Sequence, residues 1–362
     1  MELDLLIITQ GGVTWDDWCA LADACERSAI PALFAGDHYL STSDELGQVA
    51  HDAWTIVTGL AARTSVLRLG TMVTPVTFRP PAVLANAAAT ADHVSGGRVE
   101  LGLGSGWMER EHQAFGFPFP PPRVRQQMLA EQLEIVHRLW TEDRVTFNGS
   151  HYTLENAPGR PRPLQSPHPP IIVGGKGTPG TTLPAARFAD EYNVSWDSRP
   201  QEFPDARQRV IEACAKVGRD PATMRFSIAI HCIVGETRDE AMDRARAIYD
   251  LRPRDLSFDD WFAGSSEQRL FGSVDEVAAA LRPYAEAGAD RLMLMHSQHT
   301  DLDSIVLIGG TPAPAITAIG VATRLRRDDR RAPTSYSWTS GCPGWTASRR
   351  RGSSPATTTW RA

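Results

Sequence analysis

The sequence predicts an α/β protein folded as a TIM (β/α)8 barrel, and three features of the 362-residue chain point there. Short aliphatic or β-branched runs alternate with amphipathic helical stretches, which is the grammar of repeated βα units around a parallel sheet. There are eight such runs, and eight strands can close a barrel that leaves no edge exposed. A barrel takes about 250 residues, so the length fits one large domain with excursions.

The first strand is expected at 4–9, around Leu5-Leu6-Ile7-Ile8, and a helical pattern follows over 15–28. Strands at 32–35, 67–73 and 98–102 lead into helices at 52–63, 81–94 and 123–140, each with apolar residues at helical spacing. Strands at 171–174, 192–195 and 225–234 lead into helices at 183–189, 204–217 and 238–249. A helix over 274–287 precedes the eighth strand at 291–295. The stretch 141–170 breaks this rhythm. Asn148-Gly149 between two β-rich runs signals a hairpin, and six prolines follow, so it reads as an insertion. Residues 251–271 form a second insertion. The barrel domain is therefore expected over 1–308, with 309–362 a basic, disordered or aberrant tail in which Thr, Ser, Arg and Pro dominate. A reading-frame change at the C-terminus would account for losing the pattern where the last barrel helix belongs.

The formal charge of −6 is unevenly placed: 311–362 carries nine arginines against Asp328 and Asp329, so +7, which leaves −13 on 1–310. An acidic body argues against a nucleic-acid groove, which needs a contiguous basic surface. No apolar stretch approaches the roughly 20 residues of a membrane span. The five cysteines form no CxxC pair, so neither a disulfide framework nor a metal site is expected, and a reducing cytoplasm fits.

In a barrel the strand C-terminal ends and the loops after them carry function. The second strand runs into Gly36-Asp37-His38-Tyr39, and His38 is the candidate for proton transfer; a locally bonded turn is the plainer reading. The third strand ends in Thr71-Met72-Val73 and the fourth in Gly104-Ser105-Gly106-Trp107. A dinucleotide fingerprint would need glycine where Trp107 stands, so those glycines mark either a tight turn or close approach of a cofactor. Gly174-Gly175-Lys176-Gly177 feeds a helix start, either a candidate anion site or a structural turn with a surface lysine, and Lys176 is one of only two lysines in the chain. Glu109, Glu111 and His112 follow Trp107, and two readings stand for them: an acid bordering a planar cofactor, or a solvated face.

Together these segments resemble deazaflavin-dependent members of the luciferase-like monooxygenase superfamily. The resemblance rests on GDHYL at 36–40, RLGTMVTPVTFRPPAVLAN at 68–86, SGGRVELGLGSGWMEREHQAFGFPFPP at 95–121, PPIIVGGKG at 169–177 and LFGSVDEVAAALRPYAEAGADRLMLM at 270–295. It implies a luciferase-like TIM barrel that binds coenzyme F420 (8-hydroxy-5-deazaflavin) and transfers a hydride between its C5 and a small organic substrate. It further implies ring contacts from Asp37, His38, Thr71, Met72 and Val73, with a non-proline cis peptide at Met72–Val73 or within one residue of it. Gly104, Ser105, Gly106, Trp107, Gly174, Gly175 and Lys176 would lie along the rest of the coenzyme. His38 is the expected catalytic group, and a homodimer is expected. Sugar-phosphate dehydrogenases of this superfamily carry a glutamate where Trp107 stands, so that acid role is not transferred. The alternatives are a two-component FMN monooxygenase on the same fold and a non-catalytic flavin-binding barrel.

Overall fold

A computed structural model describes residues 1–8, 12–40, 50–194, 199–251, 255–265 and 269–310. The elements in chain order are β1 (Glu2–Ile7), α1 (Trp15–Arg27), β2 (Ala32–Ala35), α2 (Ala53–Arg63), β3 (Arg68–Thr71), β4 (Thr74–Pro75), α3 (Pro81–Ser95) and β5 (Val99–Gly104). Next come α4 (Glu109–Phe115), α5 (Pro122–Thr141), β6 (Arg144–Asn148), β7 (Thr153–Pro158), β8 (Ile171–Gly175), α6 (Pro179–Phe188), β9 (Glu191–Val194) and α7 (Phe203–Val217). The described chain closes with β10 (Arg225–Gly235), α8 (Arg238–Asp250), α9 (Phe258–Ser265), β11 (Arg269–Ser273), α10 (Val274–Glu286), β12 (Arg291–His296) and α11 (Leu302–Gly310).

Eight parallel strands, β1-β2-β3-β5-β8-β9-β10-β12, close on themselves through the pairing of β12 with β1. The fold is the expected TIM barrel. Side chains alternate between two cores, as strand geometry requires. One core lies between the sheet and the helices and holds Leu5, Leu33, Leu69, Leu101, Val173 and Leu294. The other fills the lumen with Leu6, Phe34, Ile172, Ala229, Met293 and Met295. Nearer the strand N-terminal ends the lumen is charged: Arg291, 1% exposed, bonds Glu100 at 2.7 Å and Glu191 at 3.0 Å and contacts Asp4. Helix starts follow local chemistry. Thr14 with Asp17, and Ser273 with Glu276, form reciprocal capping boxes on α1 and α10.

The expected insertion at 141–170 is the antiparallel hairpin β6–β7, joined across Asn148 and Thr153. Other expectations need correction. The first strand starts at Glu2, two residues before the expected position 4: Glu2 stays exposed and pairs with Arg225 at the rim, while buried Asp4 faces Arg291 in the lumen. The third strand does not run to residue 73. It stops at Thr71, turns through a cis Met72–Val73 peptide and resumes as β4. Helix α6 begins at Pro179 rather than 183, since Pro suits the first helical turn despite looking like a break. The second insertion contains a helix, α9, and a strand, β11, which extends the sheet beside β10. Helix α11 occupies 302–310 and packs on α1, so the last barrel helix is present through Gly310. The expected tail from 311 onward, Thr9 and Ser195 lie outside the described residues. No described helix is long and apolar enough to cross a membrane.

Candidate active site

The loop after β2 is held from beneath. Asp37 is buried; it accepts from Arg79 Nη1 at 2.6 Å and from the Thr74 hydroxyl at 2.8 Å. Burial pushes its carboxyl above the usual range, against the pull of Arg79. Arg79 also bonds Asp52 and the Tyr39 hydroxyl, so one guanidinium ties together β2, the start of α2 and the β4–α3 loop. Asp37 thus lies under the mouth, where it secures the residue that follows it.

That residue, His38, is half-buried, and its Nδ1 lies 3.0 Å from Glu111 Oε2. Glu111 is fully enclosed, and its second oxygen accepts from the backbone N–H of Tyr39 and, at 2.9 Å, of Leu40. A carboxylate at Nδ1 selects the tautomer with its proton there, which gives Nε2 the lone pair. Glu111 belongs to α4, a short helix absent from the sequence-based expectation. The signal for it along the chain is weak, because Glu109-Arg110-Glu111 looks like a solvated face. Trp107, 58% exposed, meets the His38 ring edge-on at 5.7 Å. His112, by contrast, is structural: its ring nitrogens are engaged with Met108 O at 2.8 Å and Thr77 Oγ1 at 2.6 Å.

Thr71 is also buried, and its hydroxyl donates to Gly102 O at 3.2 Å. Met72 and Val73 are half-buried at the mouth. The Val73 side chain lies over the ends of β5 and β8. A Cβ built on Gly104 would sit 2.6 Å from Val73 Cγ2, and one on Gly174 would sit 3.1 Å from Cγ1. Within the chain, these glycines therefore make room for the turn after β3. Ser105, Gly106, Gly174 and Gly175 are half-exposed beside it, and Lys176 is exposed. The Gly177 amide donates to the Tyr192 hydroxyl at 2.9 Å and so is not among those turned to an anion. The structure therefore brings His38, Met72, Val73, Ser105, Gly106, Gly174 and Gly175 to one end of the barrel, with Asp37 and Thr71 beneath.

The family model for luciferase-like monooxygenases matches residues 4–325. The chain belongs to the luciferase-like monooxygenase family. This oxidoreductase family member is 30% identical over 288 residues to an F420-dependent glucose-6-phosphate dehydrogenase from Kineococcus radiotolerans, covering 74% of this chain and 83% of the relative. It is 32% identical over 196 residues to the pyrimidine monooxygenase RutA of Stutzerimonas stutzeri, covering 52% of each, so it spans about half the length of that relative. The solved monooxygenase RslO1 from Streptomyces bottropensis superposes with a TM-score of 0.73 at 23% identity, covering 85% of this chain and 96% of that one.

Proposed function

We propose that the chain is an F420-dependent oxidoreductase acting on a small organic substrate. The observation that carries this reading is the arrangement at the mouth. Half-buried Met72 and Val73 form an apolar shelf, flanked by His38 on one side and by strand ends without side chains, Gly104 and Gly174, on the other. A flat tricyclic ring needs such a shelf, and the half-exposed Ser105, Gly106 and Gly175 beside it would border its tail. When bound, the coenzyme supplies a hydride carrier at C5 of its ring. The protein's part is to hold Nε2 of His38 at the mouth as a proton acceptor or donor, and to keep water from the shelf. Asp37, Thr71, Ser105, Gly106, Trp107, Gly175 and Lys176 complete the proposed coenzyme site, with Lys176 adding positive charge for a phosphate. The match to the F420-dependent glucose-6-phosphate dehydrogenase, which spans 83% of that relative, supports F420. A homodimer working in the cytoplasm is part of the same reading.

Incubating the protein with F420 and with FMN, removing unbound coenzyme and recording absorbance and fluorescence tests it. F420 should be retained at least tenfold more tightly, and Lys176→Ala should weaken that retention most at low salt. Tighter retention of FMN would replace this reading with the FMN monooxygenase. Retention of neither would end both.

A further inference from the structure

Strand β10 outlasts its neighbours. Residues 225–228 pair with β9, whereas 231–235 pair with β11, in register from His231 with Arg269 to Gly235 with Ser273. On its other side His231 is level with Met295 of β12. Side-chain alternation fixes which way each residue faces. Cys232, Val234 and Leu270 sit in the outer core, whereas Ala229 and Met295 sit in the lumen. His231 and Arg269 therefore share the lumen side, level with Met295 and one step above Ala229 and Met293. Both are partly exposed, as residues bordering an opening should be.

The insertion that interrupts the last βα unit packs on that same side. The Arg269 guanidinium lies 4.5 Å over the Trp261 ring, and Phe262 meets Phe271 edge-on at 4.8 Å, so α9 walls the inner face of the β10–β11 extension. Ser297, just beyond β12, places its hydroxyl 3.4 Å from His231 Nδ1. In a body whose sequence is strongly acidic, two basic side chains at one level above an apolar floor form a distinct chemical station.

We propose that His231, Arg269 and Trp261 form the substrate-recognition wall, which takes a small organic acid by its carboxylate and lodges its apolar body beside Met295, the β12 neighbour of His231. A guanidinium presents a planar fork of donors that matches a carboxylate, and the imidazole, held by Ser297, adds a further donor. The Trp261 ring, itself packed against Tyr249 and Phe258, backs the guanidinium and fixes its position. His231 stands three strands round the barrel from the loop of His38, through β12 and β1, so an anchored substrate extends toward the catalytic side. Its catalytic meaning rests on the coenzyme reading above; the binding itself does not.

Calorimetric titration of the full chain with benzoate and with its neutral analogue benzamide, without and then with F420, tests the wall. Benzoate should bind about tenfold more tightly than benzamide, the effect of one charge-assisted contact. Arg269→Gln should remove that preference and leave benzamide and F420 binding unchanged, while Arg269→Lys should restore part of it. His231→Gln, with melting curves alongside, probes the same preference through a second side chain should Arg269→Gln fail to fold. Equal affinities for benzoate and benzamide, or a preference that survives both glutamine variants, overturns the proposal. Loss of F420 binding alone strikes only the coenzyme reading, because the benzoate preference is measured without it.

Discussion

His38 and Glu111 lie 73 positions apart in sequence, yet only 3.0 Å separates His38 Nδ1 from the Glu111 carboxylate. The carboxylate is enclosed, and it accepts from a side chain and from two backbone amides of the same loop. Such a group orients its partner without needing to reach substrate, as the outer members of hydrogen-bonded catalytic sets do. Glu111→Gln keeps an acceptor but loses the charge. Turnover of the F420 reaction should drop about tenfold or more, within the range that positioned acid–base groups contribute, while coenzyme affinity changes little. His38→Ala should also depress turnover more than affinity. If Glu111 works through His38, adding Glu111→Gln to His38→Ala should cost almost nothing further. Additive losses in the double variant would make Glu111 an independent contributor.

Among the elements, the turn between β3 and β4 shapes the mouth, and its neighbours are fitted to it. A Cβ on Gly102 would fall 2.0 Å from the Thr71 carbonyl oxygen, a clash with backbone that no rotamer can relieve. Gly102→Ala should therefore lower stability by about 1–3 kcal/mol, the usual cost of overpacking, and thermal melting reads it directly. Gly264, exposed on α9 with nothing within 4 Å of a built Cβ, provides the contrast. Gly264→Ala should raise stability by roughly 0.5–1 kcal/mol, because alanine favours helix over the unfolded chain. If both substitutions melt alike, the packing account of the β3–β4 turn is wrong.

The barrel as a unit is organised around a lumen with two characters, apolar toward the mouth and ionic toward the strand N-terminal ends. Three carboxylates, Asp4, Glu100 and Glu191, surround Arg291, and Arg68 and Arg225 reach Glu100 and Glu191 from the rim. Burial opposes the charge on Glu100, but Arg291 and Arg68 hold its carboxyl at about 2. For Asp4 burial wins over Arg291, and its carboxyl is pushed up from 3.8 to about 8. The folded state thus keeps a proton on Asp4 that the unfolded chain releases above about pH 4. Stability from this group is fully present below the unfolded value and is lost as pH rises toward 8. Asp4→Asn removes the titration, so its melting temperature should gain on the parent between about pH 5 and 8 and then run parallel. A constant offset across that range would show that Asp4 is ionised in the fold.

The barrel is legible in the order of the amino acids alone. Strand and helix periodicities are local, and eight alternations of them leave one closed arrangement. The same reading puts His38, Met72, Val73 and the glycine turns at the catalytic end, because each strand end shows where an apolar run stops. What those residues meet is fixed in three dimensions. Along the chain Glu111 reads equally as an acid beside a cofactor or as part of a solvated charged stretch, and folding encloses it against His38. Gly104 and Gly174 read as cofactor glycines, and packing sets Val73 against them. Strand β11 is hidden inside an insertion because its pairing partner, β10, lies on the far side of α8 and α9 in the chain. In each case the period along the chain is set by neighbouring residues, whereas the partner is set by closure of the barrel, which joins residues with no local signal that they will touch.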